Sequence, residues 1–165
     1  MKKKNKIKIL FVCLGNICRS PLAKGIMQEK INKMGLKEHF HIDSCGTSDY
    51  HIGDSPDSRT TGNALKHGLV LNNSARQIEK ADLRYFDLIL AMDQSNKKNI
   101  HKLDMTDEFE DKIHLMCDFS ENYKGQNVPD PYFGDENGFE NVYNLLDECA
   151  QDLLEELIEK HNLEL

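Results

Sequence analysis

The spacing of apolar residues changes several times along the chain, and each change marks an expected strand or helix. Short runs with consecutive or alternating apolar residues occupy residues 7–12, 39–45, 86–92 and 112–116. Runs of this length, bounded by turn-forming residues, are typical of strands. We therefore expect four strands, the fourth of them shorter than the others.

Helical spacing separates these runs. Apolar residues recur every three to five positions over residues 22–34, and Gly35 supplies a stop signal. Ser20 is expected to cap this helix, because serine caps well and a proline that follows it fits the first turn. A second helix is expected over residues 56–67.

Two further helices are expected in the second half of the chain. Asp93 or Ser95 is expected to cap a helix after the third strand. From Gly138 onward, apolar residues recur at positions i, i+3, i+4 and i+7 as far as Ile158. This stripe is typical of an amphipathic helix that packs on a core.

The order of these elements predicts the fold class. Strands and helices alternate as β-α-β-α-β-α-β-α, which is typical of a parallel sheet covered by helices on both faces. Since the sequence shows no repeat and no linker, we expect one domain over residues 1–165, an α/β three-layer sandwich around a four-stranded parallel sheet. Ligands bind such folds outside the carboxyl ends of the strands, and Cys13 follows the first expected strand.

The stretch from residue 9 to residue 22, ILFVCLGNICRSPL, places a thiol and a guanidinium at the two ends of a five-residue loop. The loop runs into a helix N-terminus, where backbone N–H groups and the helix dipole favour an anion. Gly15 and Asn16 tolerate positive φ, so the loop can curve its amides inward. Arg19 can hold two oxygens of a phosphate group, and the same field favours the thiolate of Cys13. The pattern indicates a nucleophile at the base of an anion site.

Attack of a thiolate on a phosphate ester also needs a group that protonates the leaving oxygen. Residues 120–138 are rich in Gly, Asn, Pro and Asp and predict a long loop, a feature that often marks function. Prolines on both sides restrict the backbone around Asp130. Tyr132 and Phe133 beside it can wall a pocket for an aromatic group. Asp130 is therefore the candidate general acid.

Composition narrows the class of protein. The chain has 165 residues, of which 39% are hydrophobic and 30% charged, with a net charge of −7. These values indicate a soluble globular protein, and the negative charge argues against a nucleic-acid partner, which needs a broad basic surface. No apolar run is long enough to cross a membrane, and the N-terminal run is too short for a signal peptide.

The cysteines and histidines add few further candidates. Five cysteines whose spacings match no disulfide framework predict reduced thiols and a cytoplasmic location. Cys45, Cys117 and Cys149 are interpreted as core residues. The spacing of Cys13 and Cys18 fits no common zinc pair, so we expect no metal. The sequence contains no glycine-rich nucleotide-binding motif, so we expect no cofactor.

Two motifs near opposite ends of the chain resemble those of the low-molecular-weight protein tyrosine phosphatases. They are VCLGNICRSP at residues 12–21 and DPYFG at residues 130–134, and the resemblance extends over nearly the whole chain. It implies an enzyme that hydrolyses phosphotyrosine monoesters through a phosphocysteine intermediate. Cys13 would be the nucleophile, Arg19 the phosphate clamp, and Asp130 first the general acid and then the general base.

The same resemblance implies roles around the two motifs. Cys18 would form a reversible disulfide with Cys13 under peroxide and so protect the nucleophile from over-oxidation. One set of polar residues would hold the loop and Arg19 in place: Asn16, Ser20, Ser44, Asn73 and Asp93. The substrate would meet Leu14, Gly15, Asn16, Ile17, Cys18, Ser20, Tyr50, Tyr132 and Phe133.

Three positions depart from the family pattern. Asn73 stands where many members have a histidine, and an amide can hydrogen-bond but cannot carry charge. Phe133 replaces a second tyrosine that many eukaryotic members have. Asp54 stands where several relatives have a basic residue, so an acidic group near the substrate is less favoured.

The resemblance implies phosphotyrosine-containing proteins as partners, a tyrosine kinase among them, and a monomer with at most weak self-association. Related protein-arginine phosphatases have threonine where Ile17 stands. A thioredoxin-coupled arsenate reductase remains an alternative, although it needs two further cysteines close together, and Cys117 and Cys149 stand apart in the sequence. A catalytically idle phosphate-binding module is the other alternative, but it would lack a nucleophile or an acid.

Overall fold

The central sheet consists of four parallel strands. In the computed structural model, which describes residues 5–132, 134 and 136–165, they are β1 (Ile7–Cys13), β2 (Phe40–Gly46), β3 (Leu88–Ala91) and β4 (Ile113–Leu115). Their spatial order is β2-β1-β3-β4, with β1 paired to both β2 and β3. The predicted four-stranded parallel sheet is confirmed. The direction of winding reverses beside β1, which is where such sheets bind ligands.

Helices cover both faces of the sheet. They are α1 (Arg19–Lys33), α2 (Ser58–Lys66), α3 (Lys80–Tyr85), α4 (Gln94–Leu103) and α5 (Glu136–Lys160). One core lies between the sheet and α1, α2 and α5, and the other lies between the sheet and α3 and α4. The predicted three-layer sandwich is thus confirmed.

Strand β1 supplies side chains to both cores, because successive strand residues point to opposite faces. Ile9, Phe11 and Cys13 belong to the core beneath α1 and α5. Leu10 and Val12 belong to the core beneath α3 and α4. All five are buried, so β1 is an apolar run without visible alternation, as the sequence shows.

Two predicted helix starts are corrected by the structure. Helix α1 begins at Arg19 with Cys18 at its N-cap and no side-chain cap, so the prediction that Ser20 caps it is wrong. Ser20 lies in the first turn, where its hydroxyl serves the preceding loop. Helix α2 begins at Ser58 and is capped by Asp57, whose Oδ1 accepts a hydrogen bond from the backbone N–H of Arg59 at 2.9 Å.

Of the remaining three helices, two were predicted from the sequence and one was not. Asp93 rather than Ser95 caps α4, since its Oδ1 accepts from the backbone N–H of Asn96 at 2.8 Å. Helix α5 begins at Glu136, slightly before the predicted start at Gly138. Helix α3 was not predicted, because its six residues complete fewer than two turns and show no readable period.

Within the parts of the chain that the structure describes, no helix combines the length and the apolar character needed to cross a membrane.

Candidate active site

The thiol of Cys13 lies at the carboxyl end of the central strand, under the loop that follows. The backbone N–H of Asn16 donates to its Sγ at 3.3 Å, and the hydroxyl oxygen of Ser20 lies 3.0 Å from the same sulfur. The Ser20 hydroxyl also donates to the carbonyl oxygen of Cys45 at 3.2 Å. Since a hydroxyl has one proton, Ser20 can instead donate to the sulfur when the sulfur is a thiolate.

Asn16 organises the loop from below. Its φ of 58° is left-handed and its side chain is fully buried. The Nδ2 group donates to the hydroxyls of Ser20 at 2.8 Å and Ser44 at 3.0 Å, and Oδ1 accepts from the backbone N–H of Arg76 at 3.1 Å. Asn73 accepts from Ser44 at 2.8 Å and donates to Asn16 Oδ1 at 3.3 Å. The structure thus brings together the predicted network behind the loop.

Two glycines allow the loop to lie against its neighbours. A Cβ atom on Gly46, at the end of β2, would lie 2.6 Å from the carbonyl oxygen of Leu14. A Cβ atom on Gly15 would lie 2.9 Å from Cδ2 of His51. Gly15 does not have the positive φ that the sequence suggested for it. The close approach of the His51 ring, rather than the backbone conformation, is therefore what favours glycine at this position, since a Cβ atom would displace that ring.

Arg19 is held by contacts from two other parts of the chain. Its side chain is only 3% exposed, and Nη1 donates to Oδ2 of Asp93 at 2.6 Å and to the carbonyl oxygen of Val128 at 3.0 Å. Asp93 therefore uses one oxygen for Arg19 and the other to cap α4. The predicted contact between Arg19 and Asp93 is present, and the ion pair fixes the plane of the guanidinium.

The loop that carries Asp130 is fastened to the edge of the sheet. The backbone N–H of Val128, a fully buried residue, donates to the carbonyl oxygen of Met92 at 2.8 Å. Two residues further on, Oδ1 of Asp130 accepts from the backbone N–H of Tyr132 at 3.0 Å, and Oδ2 lies 3.7 Å from Nη2 of Arg19. The carboxyl group therefore lies beside the loop that follows β1.

These groups surround a cleft of about 360 Å³. Its walls include aromatic and aliphatic side chains, as expected for a site that accepts an aromatic group. Among the predicted binding residues, the side chains of Asn16 and Ser20 lie beneath the loop rather than in the cleft, and Phe133 falls outside the described residues. The cleft is lined by Cys13, Leu14, Gly15, Ile17, Cys18, Arg19, Tyr50, His51, Asp130 and Tyr132.

His51 lines the cleft although the sequence reasoning did not select it. Its ring lies against Gly15, its centroid is 6.3 Å from that of Tyr132, and its Nδ1 is 3.1 Å from Oδ2 of Asp54. The only sequence signal was its place beside Tyr50 in a loop rich in Gly, Pro, Asp and Ser. Such a position does not distinguish a cleft residue from an exposed one.

Cys18 lines the same cleft as Cys13 but differs from it in environment. It is 5% exposed, and burial raises its pKa to about 12. At neutral pH Cys18 is therefore a neutral thiol and does not compete with Cys13 as the nucleophile.

The other three cysteines are buried, as predicted, but two of them are not isolated. The Sγ atoms of Cys117 and Cys149 lie 3.8 Å apart, where the turn after β4 packs on α5. These two residues, which stand apart in the sequence, therefore lie together in the fold. The Cys149 thiol donates to Cys117, which lowers the pKa of Cys117. Both are fully buried, so the pair lacks the access that a thiol relay to thioredoxin needs.

One group of metal-type ligands lies outside the cleft lining. Ligand atoms of His101, Asp104 and Asp107 lie within 4.8 Å of one another. His101 is in the last turn of α4, and the two aspartates follow the helix. Asp104 already accepts a hydrogen bond from the backbone N–H of Phe109 at 2.9 Å. This contact within the fold accounts for the burial of Asp104. These three residues are not among those that line the cleft.

The fold and the cleft are those of a cysteine-dependent phosphatase, because the sheet brings a thiol, an amide-lined loop, a fixed guanidinium and a carboxyl group to one edge. The family model described as low molecular weight phosphotyrosine protein phosphatase matches residues 8–163. The chain belongs to this family of phosphatase enzymes, which confirms the resemblance drawn from the two motifs. Membership implies phosphoproteins as substrates.

Individual relatives agree over almost their full lengths. A relative from Synechocystis sp. is 46% identical over 151 residues, which cover 92% of this chain and 96% of the relative. The crystal structure of a protein tyrosine phosphatase from Entamoeba histolytica, with Hepes in its active site, matches with a TM-score of 0.89 and 37% identity, covering 96% of this chain and 100% of that one. A Drosophila arginine phosphatase matches with a TM-score of 0.84 and 31% identity, covering 91% and 97%.

Proposed function

We propose that this enzyme hydrolyses phosphotyrosine in proteins, with Cys13 as nucleophile, Arg19 as phosphate clamp and Asp130 as general acid and base. The observation that carries the proposal is the position of the Asp130 carboxyl group. It lies 3.7 Å from the guanidinium of Arg19, the residue at the end of the loop that begins at Cys13. A phosphate group bound by that guanidinium has a thiol below it and an acid beside it. Those are the groups that a double displacement at phosphorus requires.

In the first step the thiolate of Cys13 attacks phosphorus, the S–P bond forms, and the bond between phosphorus and the phenolic oxygen breaks. The phenolic oxygen takes a proton from Asp130. Arg19 and the inward-facing amides of the loop stabilise the charge on the three remaining oxygens. The hydrogen bond from Asn16 N–H and the contact with Ser20 keep the attacking sulfur at the base of the loop.

In the second step water attacks the phosphocysteine, and the Asp130 carboxylate takes a proton from that water. The S–P bond breaks, and inorganic phosphate and the Cys13 thiolate are released. The hydroxyl of Ser20, 3.0 Å from the sulfur, can donate to the departing thiolate and so lower the barrier of this step. The support network of Asn16, Ser44 and Asn73 keeps the loop in the same shape throughout.

The walls of the cleft favour an aromatic phosphate ester. Ile17, Tyr50 and Tyr132 offer apolar surface on the sides of the opening, against which a phenyl ring can pack. Arginine phosphatases share the fold, but Ile17 presents an aliphatic group at the position where they have threonine. We therefore propose phosphotyrosine rather than phosphoarginine as the preferred group.

The proposal is tested by turnover of p-nitrophenyl phosphate, a phosphotyrosine peptide and a phosphoarginine peptide by wild type, Cys13→Ser and a control, Cys149→Ala. We expect wild type and the control to hydrolyse the two aryl esters, and Cys13→Ser to lose activity by at least about 10⁴-fold. Retained activity in Cys13→Ser would overturn the role of Cys13. Faster turnover of phosphoarginine would overturn the substrate assignment. Arsenate-dependent oxidation of thioredoxin by wild type would favour the reductase alternative.

We further propose that the substrates include a tyrosine kinase, that residues 1–165 act as one monomeric domain, and that the enzyme works in the cytoplasm. Reduced thiols throughout the chain support this location. Substrate trapping with Cys13→Ser in the native host should recover tyrosine-phosphorylated proteins, and light scattering should give the mass of one chain. Recovery only of phosphoarginine proteins would contradict the first of these points, and a stable dimer would contradict the second.

A further inference from the structure

Arg59, on α2, lies between two aromatic rings near the general-acid loop. Its Cζ atom is 5.3 Å from the ring centroid of Tyr132 and 4.9 Å from that of Phe139. Both distances are within the range of cation–π attraction. Tyr132 lies two residues after Asp130, and Phe139 is a buried residue in the first turns of α5. One guanidinium therefore contacts the chain on both sides of the segment that joins the acid loop to α5.

Asp57 holds this guanidinium in a fixed plane. Its Oδ1 accepts from Nε of Arg59 at 3.1 Å and its Oδ2 accepts from Nη2 at 3.0 Å, a two-pronged contact. The Asp57 side chain is only 12% exposed, and the Arg59 hydrogen bonds lower the pKa of its carboxyl group. The backbone N–H of Asp57 donates to the carbonyl oxygen of Ile17 at 2.8 Å. The same residue thus fastens Arg59 to the phosphate-binding loop.

These contacts form a continuous connection between the two halves of the site. It begins at Ile17 in the phosphate-binding loop, passes through Asp57 and Arg59 to Tyr132, and reaches Oδ1 of Asp130 through the Tyr132 backbone N–H at 3.0 Å. Asp130 is itself 36% exposed, so its position depends on such contacts rather than on burial in the core.

The local helix chemistry does not account for an arginine at this place. Residue 59 is in the first turn of α2, where a positive charge is unfavourable beside the helix dipole. Its side chain is 43% exposed, so it does not fill the core, and an exposed ion pair by itself contributes little stability. The planar group between two rings is the feature that a lysine or an apolar residue would not reproduce.

We propose that Arg59 is a positioning residue for the reaction: it holds Tyr132, and through it the carboxyl group of Asp130, at the place from which the leaving oxygen is protonated. This inference rests on the proposed function. It assigns to Arg59 no contact with the substrate and no proton transfer of its own.

The test compares Arg59→Ala and Arg59→Lys with a matched control, Arg84→Ala. Arg84 is also exposed, lies with Cζ 5.2 Å from the ring centroid of Phe109, and pairs with Glu108 at 3.5 Å. Within the described part of the chain it is not among the residues that line the cleft. The substrates are phenyl phosphate, whose leaving oxygen needs a proton, and p-nitrophenyl phosphate, whose leaving group needs little protonation.

We expect Arg59→Ala to lower kcat/KM for phenyl phosphate about tenfold and kcat/KM for p-nitrophenyl phosphate about twofold or less. This ratio covers the steps up to the phosphocysteine, where Asp130 acts as acid, and leaves out the later hydrolysis, where Asp130 acts as base for every substrate. Arg59→Lys should lie between wild type and Arg59→Ala. Arg84→Ala should match wild type on both substrates. In an Asp130→Asn background, Arg59→Ala should cause no further loss on phenyl phosphate, since the group it positions is then absent.

An equal loss on both substrates, no loss on either, or an additive loss in the Asp130→Asn background would overturn the positioning role while leaving the phosphatase assignment intact. No turnover of either substrate by wild type would overturn the proposed function, and the role of Arg59 with it. Circular dichroism of each variant identifies a loss that comes from unfolding.

Discussion

The Oδ2 atom of Asp130 lies 3.7 Å from Nη2 of Arg19, and this contact joins the two sequence motifs into one site. Neither motif is sufficient alone. The loop from Cys13 to Arg19 is the proposed phosphate site. Asp130 stands in a proline-rich turn and gains a proposed catalytic role only because it lies beside that loop. The backbone contact between Val128 and Met92 brings the loop to this position.

Asp130→Asn should separate good leaving groups from poor ones. An amide keeps the shape of the carboxyl group but cannot donate its proton to the leaving oxygen. We expect kcat/KM for phenyl phosphate to fall by about 10²–10⁴-fold and kcat/KM for p-nitrophenyl phosphate to fall much less, because this ratio reports only the steps up to the phosphocysteine. Steady-state kinetics with a series of substituted phenyl phosphates measures this as a steeper dependence on the leaving-group pKa. A parallel loss across the series would remove Asp130 from the acid role.

Asp93→Asn should weaken the hold on Arg19 without removing the cap of α4, because asparagine also caps helices well. Loss of a partly buried, charge-assisted hydrogen bond costs about 2 kcal/mol, so we expect kcat/KM for p-nitrophenyl phosphate to fall about thirtyfold. Asp118→Asn is the control, because Asp118 likewise accepts from a backbone N–H, that of Leu115 at 3.1 Å, and is not in the cleft lining. Equal kinetics for the two variants would contradict a role of Asp93 in orienting Arg19.

Cys18→Ser should make inactivation by peroxide irreversible. In wild type peroxide converts the thiolate of Cys13 to a sulfenic acid. The Cys18 thiol loses its proton and attacks that sulfur, the S–S bond forms, and the hydroxyl group leaves as water with that proton; a reductant then restores both thiols. Activity recovered with dithiothreitol after a short peroxide exposure measures the effect, and mass spectrometry identifies the Cys13–Cys18 peptide. Full recovery in Cys18→Ser would remove Cys18 from this protective role.

Since the pKa of Cys18 is raised to about 12, iodoacetamide at neutral pH should label Cys13 first.

Asp57→Asn should make the free energy of unfolding less dependent on pH in the acidic range. The pKa of Asp57 is lowered in the folded protein by the Arg59 hydrogen bonds, so its charged form stabilises the fold above the unfolded-state pKa of about 4. This contribution is lost as the pH falls through the lower folded-state pKa. Urea unfolding should therefore show wild type more stable than Asp57→Asn at pH 7, with a difference that shrinks as the pH falls below about 4. A constant difference over that range would contradict the ion pair.

The fold was largely predictable because its elements have local periods. Four apolar runs and the long stripe from Val142 onward indicated the parallel sheet and α5, and Asp93 was among the predicted caps. Helix α3 was missed because six residues show too little periodicity. Ser20 was misassigned as a cap because its preference for helix starts does not reveal a nearby acceptor, and here its hydroxyl contacts Cys13 and Cys45.

The site was predictable wherever chemistry depends on short spacing, as in the loop from Cys13 to Arg19. Contacts between distant residues were not. The approach of Cys117 to Cys149, the place of His51 against Gly15, and the position of Arg59 between two rings depend on how separate elements pack.

The sequence by itself determined the order of most strands and helices, the candidate anion-binding loop and the candidate nucleophile and acid, because periodicity, turn chemistry and motif spacing are local properties. Only the tertiary structure decided how Asp130 reaches Arg19 and what holds it there. Distances between residues far apart in the chain result from the packing of the whole fold, and no local pattern encodes them.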